Sequence, residues 1–313
     1  MWHTKTSHAL QHLGRKTKKG KTWTDMEKLE FVSKKEQRLF DLILRERPNL
    51  NFQMLKEAVR KRDIKVNQKR VSQNTKLKNG DLVTIFLPQK KQKNVPVVFQ
   101  NKDVLIVNKP AGMEVTKKDK AFLQSDCLED IFCGCFACHR LDKNTEGLVV
   151  LAKTRQAQNL IFDAIKQHKM HKFYVTIVTG KVKKSDEFED YLQKGDKFVK
   201  VFDKPAKDVK VAKTNYVLLE EKQNLALLQI EILTGRTHQI RAQLAHHGIF
   251  VLGDEKYGDK QKNKLYHTKR QLLCAQKICF DDLPKSLSDL SQKMFEVSPS
   301  FCLDDILSKS ENK

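Results

Sequence analysis

"HKFYVTIVTG", residues 171–180, alternates its side chains on the period of a strand. Phe173, Val175 and Ile177 fall on one face, and Tyr174, Thr176 and Val178 on the other. "NLALLQIEILTG", 224–235, alternates in the same way, and "DVLIVNK", 103–109, reads as a buried strand. Between them, "QAQNLIFDAIKQH", 156–168, puts Ala157, Leu160, Ile161, Ala164 and Ile165 on one helical stripe. Strands dominate up to about residue 283, and several connections are too short for parallel crossovers. The expected fold class is therefore α+β, a mixed, largely antiparallel sheet with surface helices.

Charge narrows the function classes. The 313 residues hold 60 Lys and Arg against 38 Asp and Glu, a formal charge of +22. Such an excess favours a polyanionic partner, because each phosphate neutralised releases a counterion. No apolar run approaches the roughly 20 residues that span a bilayer. The start, "MWHTKTSHALQHLGRKTKKGKTW", has no apolar core and no small-residue cleavage site. Nucleic acid is the expected partner, a membrane is not, and the cytoplasm is the expected location. Seven cysteines (127, 133, 135, 138, 274, 279 and 302) are an odd number, and reduced thiols are expected there rather than a disulfide framework.

Five segments are expected. Residues 1–27 read as a basic, disordered tail. Residues 28–88 read as a compact module: a helix with Leu39, Leu42, Ile43 and Leu44, a second helix from Asn51 with Met54, Leu55 and Val59, and a strand at Ile64 and Val66. An Asn79-Gly80 turn then precedes "DLVTIFL". "QKKQKNVP", 89–96, reads as a linker. Residues 97–285 form the second domain, and 286–313 a polar C-terminal tail. In the module, Arg60, Lys61, Arg62, Lys65, Lys69 and Arg70 cluster at a helix end and a hairpin. Two short helices plus a hairpin with such a cluster resemble the S4 RNA-binding domain, which implies a small α+β unit presenting cations to phosphates.

Three further segments carry chemistry: "HRLDKNTEGLVVLAK" (139–153), "HKFYVTIVTG" and "LTGRTHQIRAQLAHHGIFVLGDEKYGD" (233–259), preceded by "VVFQNKDVLIVNKPAGMEV" (97–115). In this order, behind an S4-like module, residues from about 29 to 283 resemble the RluA-type RNA pseudouridine synthases, in particular the C and D branches that act on large-subunit ribosomal RNA. The resemblance implies an isomerase that flips a uridine out of RNA, with 23S-type ribosomal RNA as the expected partner. Nothing is oxidised or hydrolysed in that reaction, so neither cofactor nor metal is expected. A monomer is the default expectation.

The resemblance also implies roles. Asp142 is the catalytic carboxylate, adding to C1′ or removing a sugar proton; both routes stay open. A desolvated aspartate tends to take up a proton, and a nearby cation opposes this. Arg241 is the implied ion-pair partner and Arg236 the second candidate. If the segment from Thr237 is helical, His238 and Arg241 share a face. Tyr174 is implied to stack on the flipped base and handle the C5 proton. Arg140 would meet the backbone or fill the gap left by the base, and Ile240 would either floor the uracil or serve as an ordinary core residue. Asp254 and Tyr257 would brace the site, Gly147 and Gly253 would make tight turns, and the Lys109–Gly112 turn would support the cleft. Departures from the family pattern are Glu146, Thr116 and Cys138. Glu146, four residues from Asp142, is expected to weaken RNA binding or to raise the aspartate's pKa.

Cys135-Phe-Ala-Cys138-His139 is also the string that can attach a c-type haem, or, with Cys133 and Cys274 or Cys279, form a zinc knuckle. The first is normally linked to export, and the second normally shows two clean pairs where here there is one, so the cysteines are expected as packing residues. Two rival functions share the charge pattern. A non-catalytic S4-type RNA-binding or ribosome-assembly protein would have no need of Asp142, Arg241 and Tyr174 together. A pseudouridine synthase acting on transfer RNA would keep all three. No Ser-His-Asp or paired-carboxylate arrangement points to a hydrolase.

Overall fold

A computed structural model of the chain describes residues 26–47, 50, 52–88, 94–116 and 127–311. The expected basic tail up to residue 25, and residues 89–93 of the expected linker, lie outside the described residues. The described residues divide into two compact units, 26–88 in one and 94–116 with 127–311 in the other.

The first unit is a small antiparallel sheet in the order Met26–Val32, Leu82–Pro88, Ile64–Val66, Lys69–Arg70. Helices Leu39–Glu46 and Phe52–Arg60 pack on it, burying Leu39, Phe40, Leu42 and Ile43 from one and Leu55, Ala58 and Val59 from the other. The first helix has no side-chain cap of its own; Asn74 Oδ1 instead accepts from Phe40 N at 2.9 Å, satisfying one of the orphan donors of a helix start. The hairpin turns at Asn67 and Gln68, whose φ values of +47° and +66° make a type I′ geometry. The strand Met26–Val32 was not expected. Only Leu29 and Phe31 are partly buried in it, between Glu27, Lys28 and Glu30, which suits an edge position.

The second unit is built on a 12-stranded sheet. Its main path runs Val199–Phe202, Ser185–Lys194, Lys210–Lys222, Leu225–Ile232, Met170–Thr179, Leu273–Phe280, Glu146–Ala152, Val104–Lys109, Val97–Gln100. All these neighbours are antiparallel except one: Glu146–Ala152 runs parallel to Leu273–Phe280, with Gly147 opposite Ala275. The fold is thus α+β with a mixed, mostly antiparallel sheet. Gly147 has φ +112°, and a Cβ there would strike the Ala275 carbonyl, so a glycine permits this one parallel approach.

Alternation sorts the strands' side chains into two cores. Leu105, Val107, Val149 and Leu151 pack with Ile240 and Leu244 of the helix Gln239–His246. Val104, Ile106, Leu148 and Val150 pack with Ala157 and Ile161 of the helix Arg155–Lys166, which is capped by Thr154 Oγ1 accepting from Ala157 N at 3.1 Å. Residues 286–311 correct the expected polar tail. Leu287 and Leu290 enter a core, Met294–Glu296 pairs with Leu273–Phe280, and Phe301, Leu303, Ile306 and Leu307 are buried. The apolar residues of this stretch are few, but Leu303, Ile306 and Leu307 fall on one face of the helix Leu303–Glu311. No helix among the described residues is long and apolar enough to cross a membrane.

Candidate active site

The segment carrying Asp142 is fixed from several sides. His139 Nε2 accepts the Val150 N–H at 3.1 Å, tying the segment to the neighbouring strand. Burial, aided by the Lys172 charge, pushes this imidazole down to about 3, so it stays neutral and acceptor-competent. Gln158 Nε2 donates to Ala137 O at 2.8 Å. On the far side, the fully buried Lys109 donates through Nζ to the carbonyls of Pro110, Met113 and Lys143 at 3.1, 2.9 and 3.2 Å. Gly112 N donates to the same Lys143 carbonyl at 2.8 Å. Thr145 N closes a turn onto Asp142 O at 3.1 Å, and Thr145 Oγ1 accepts from Gln271 Nε2 at 2.6 Å. The Pro110–Gly112 turn and a buried ammonium thus position the residue that follows Asp142.

Arg241 comes from the helix Gln239–His246, which is stitched to the strand Lys210–Lys222 by amide side chains. Thr214 Oγ1 donates to Gln243 Oε1 at 2.7 Å and accepts from Gln239 Nε2 at 2.9 Å. Gln243 Nε2 donates to Asp190 Oδ2 at 2.8 Å, and Gln239 Oε1 accepts from Arg236 N at 2.9 Å. So placed, Arg241 donates from Nη1 to Asp142 Oδ2 at 2.7 Å. Its other edge clamps Asp254, Nε to Oδ2 at 2.6 Å and Nη2 to Oδ1 at 2.8 Å. Burial alone would push the Asp254 carboxyl up, but Arg241 and the N–H groups of Lys256 and Tyr257 outweigh it and hold it ionised. Burial likewise disfavours the Arg241 cation, and the two aspartates more than compensate.

His238 precedes that helix in a left-handed conformation, φ +53°, rather than lying within it as expected. From there its Nε2 still stands 4.0 Å from Asp142 Oδ1. Tyr257 oxygen accepts from Val199 N at 2.8 Å and shares a hydrogen bond of 2.9 Å with His238 Nδ1. Burial, helped by Arg241 and Lys256, lowers the His238 pKa against the pull of Asp142 and Asp254. Tyr174 is buried in the wall beneath; burial first, and the Asp142 charge second, push its phenol well up.

Asp142, Arg140, Tyr174, Arg236, Ile240 and Arg241 all line one cleft of about 540 Å³, within the range of small-molecule sites. Asp142 keeps 24% of its side chain exposed there, against 7% for Arg241. Arg140 is exposed and makes no hydrogen bond or ion pair among the described residues. Arg236 donates Nε to Val211 O at 2.9 Å, so it does not share Asp142 with Arg241. Ile240 is buried in the core beside the cleft. Lys172, which also lines the cleft, was missed because a lysine in an alternating strand ordinarily reads as a solvent-facing residue.

Glu146 is bound to the C-terminal segment. Its Oε1 accepts from Ser300 N and its Oε2 from Ser300 Oγ, both at 2.7 Å, and it does not line the cleft. The departure from the family pattern anchors the C-terminal segment instead of crowding Asp142. All seven cysteines are free. Cys138 and Cys274 are buried thiols that burial pushes up to about 12, while Cys133 is exposed. Among the described residues, the one group of three side chains close enough to share a metal ion is Asp190, Asp203 and His246, none of them in the cleft.

The arrangement places a carboxylate, with one oxygen held by a guanidinium and the other making no hydrogen bond among the described residues, beside a neutral phenol in an apolar-walled cleft. Comparisons with known proteins agree on a family. Residues 103–246 match the family model described as RNA pseudouridylate synthase. An Aquifex aeolicus protein named an uncharacterized RNA pseudouridine synthase is 30% identical over 268 residues, 76% of this chain and 82% of that protein. A Haemophilus ducreyi protein named ribosomal large subunit pseudouridine synthase C is 26% identical over 298 residues, 84% of this chain and 88% of its own. Among solved structures, human RNA pseudouridylate synthase domain containing 4 superposes with a TM-score of 0.54 at 20% identity, covering 69% of this chain and 92% of that one.

Proposed function

The chain belongs to the RNA pseudouridine synthase family, and from that membership we propose that it isomerises uridines of large-subunit ribosomal RNA in the Asp142 cleft. Several similar proteins are named ribosomal large subunit pseudouridine synthase C, which supports that substrate over transfer RNA. The observation that carries the mechanism is the division of labour in one carboxylate. Asp142 Oδ2 is taken by Arg241 at 2.7 Å, while Oδ1 makes no hydrogen bond among the described residues and stands 4.0 Å from His238 Nε2.

In the reaction the bond from N1 to C1′ breaks, the uracil turns, and C5 joins C1′. The C5 proton departs and N1 gains one, so the composition of the RNA is unchanged. A flipped uridine with its sugar at Oδ1 lets Asp142 add to C1′ or take a sugar proton. Both routes use the carboxylate that Arg241 holds in place through Oδ2. Tyr174 supplies a ring for the base, and its hydroxyl enters as a neutral phenol, suited to relaying a proton. Arg140, at the mouth, is placed to meet a phosphate or the gap left by the base. The scheme needs neither cofactor nor metal.

The N-terminal unit fits this reading as an S4-type RNA-binding module, with Lys61, Arg62, Lys65, Lys69 and Arg70 offering sequence-independent phosphate contacts, and the enzyme's place would be the cytoplasm. Mapping pseudouridines across total RNA with and without the gene tests the substrate. Loss of sites in large-subunit ribosomal RNA supports the proposal, and loss confined to transfer RNA replaces it with the rival substrate.

A further inference from the structure

Lys172 stands out among the cations of the cleft. Only 9% of it is exposed, and its side chain makes no hydrogen bond or ion pair among the described residues. The other buried or half-buried cations nearby, Lys109, Arg241 and Arg236, are occupied. Lys109 serves carbonyls, Arg241 serves Asp142 and Asp254, and Arg236 serves Val211. The carboxylates of Glu231, in one adjacent strand, and Asp281, just past the end of the other, are taken as well, since both bind His171. Yet no side-chain nitrogen or oxygen sealed from solvent lacks a partner among the described residues. The Lys172 nitrogen is therefore not lost in the core but meets the cleft that its side chain lines.

A second observation concerns what stands in front of it. Gly235, in the loop before the Arg241 helix, needs no left-handed backbone, and a Cβ there would meet only Lys172 Nζ, at 3.8 Å. The absent side chain leaves room ahead of the ammonium. Burial lowers the Lys172 pKa, as expected of a cation without a counter-ion. Such a group destabilises the free protein and attracts an anion strongly once water leaves the cleft. A uracil carbonyl is neutral and would leave the charge uncompensated, whereas a phosphate oxygen carries the missing charge. Tyr174, two residues on, projects to the same side of the strand about 6.7 Å away, close to the reach from a base to its own phosphate.

We propose that Lys172 is a phosphate-binding residue of the cleft, its ammonium taking a non-bridging oxygen of the RNA backbone beside the flipped uridine. This rests on the cleft being the uridine site. Lys172 is then a group whose burial weakens the empty fold and strengthens the complex.

The test compares the full-length chain with Lys172→Met and Lys172→Arg, using a fluorescent single-stranded oligouridine as the probe over about 50 to 300 mM KCl. Lys172→Met should bind about tenfold or more weakly at low salt, with a salt slope shallower by about 0.7. It should melt no lower than the wild type, because it removes an uncompensated charge, and Lys172→Arg should recover most of the binding. On the same oligouridine with neutral methylphosphonate linkages, the gap between wild type and Lys172→Met should close. Unchanged affinity and slope, a gap that persists on the neutral RNA, or a lower melting temperature with no recovery by arginine would each overturn the proposal. Pseudouridine formation by the wild type on a large-subunit ribosomal RNA transcript is scored separately. Its failure would sink the catalytic reading and leave the oligouridine comparison standing.

Discussion

Asp254 grips Arg241 edge-on, Nε to Oδ2 at 2.6 Å and Nη2 to Oδ1 at 2.8 Å, and this leaves Nη1 for Asp142. Asp254 is 1% exposed and receives two further N–H bonds from Lys256 and Tyr257, so its orientation is set before any RNA arrives. It acts on the reaction through Arg241, as a positioning residue.

Asp254→Asn leaves a buried guanidinium without its carboxylate and turns an amide N–H₂ toward an N–H donor. Breaking a buried pair in this way typically destabilises by about 3 to 5 kcal/mol, so the melting temperature should fall clearly. With Arg241 free to shift, kcat should drop by about 100-fold while KM changes little. Thermal denaturation and steady-state kinetics on one preparation check both, and a KM effect with unchanged kcat would reassign Asp254 to RNA binding.

Glu146→Ser should leave KM for RNA essentially unchanged, because the Glu146 carboxylate is committed to Ser300 and lies outside the cleft. It should lower the melting temperature, since the loss of each such bond is worth about 0.5 to 1.5 kcal/mol. Ser300→Ala should give a smaller fall in the same direction. A tightening of RNA binding in Glu146→Ser would restore the idea that this carboxylate repels the substrate.

His171 carries a pH dependence of stability. Burial works against its charged form, but hydrogen bonds to Asp281 at 3.1 Å and Glu231 at 3.2 Å outweigh it and raise the pKa above the ordinary value of 6.5. A raised folded-state pKa means the folded form binds the proton more tightly than the unfolded one. The stabilisation is therefore fully present below pH 6.5 and is lost as pH rises through the folded pKa. Melting temperatures of the wild type and His171→Gln, measured from acid to mildly alkaline pH, should differ most at the acid end and converge at the alkaline end. A difference that grows with pH would contradict this.

Much of the site was legible in the chain because its residues sit in short, strongly patterned stretches. Period-2 alternation put Tyr174 opposite Phe173, and the residue order around Asp142 and Arg241 carried the family pattern. What stayed hidden depends on contacts distant in sequence. The parallel pairing of Gly147 with Ala275 joins residues far apart along the chain, and no local pattern encodes it. Glu146 reads as an intrusion on Asp142 until Ser300 is seen to hold it. Phe301, Leu303, Ile306 and Leu307 are diluted among polar residues, so their burial shows only in three dimensions. Alternation places Lys172 on the face of Tyr174, but not the depth that leaves it 9% exposed.

Asp142→Asn tests the central claim most directly, because it keeps the side chain's shape and removes only its charge. The account predicts RNA binding within about threefold of wild type, a difference under about 1 kcal/mol, and no detectable conversion of uridine to pseudouridine. Turnover at the wild-type rate in that variant would contradict the account.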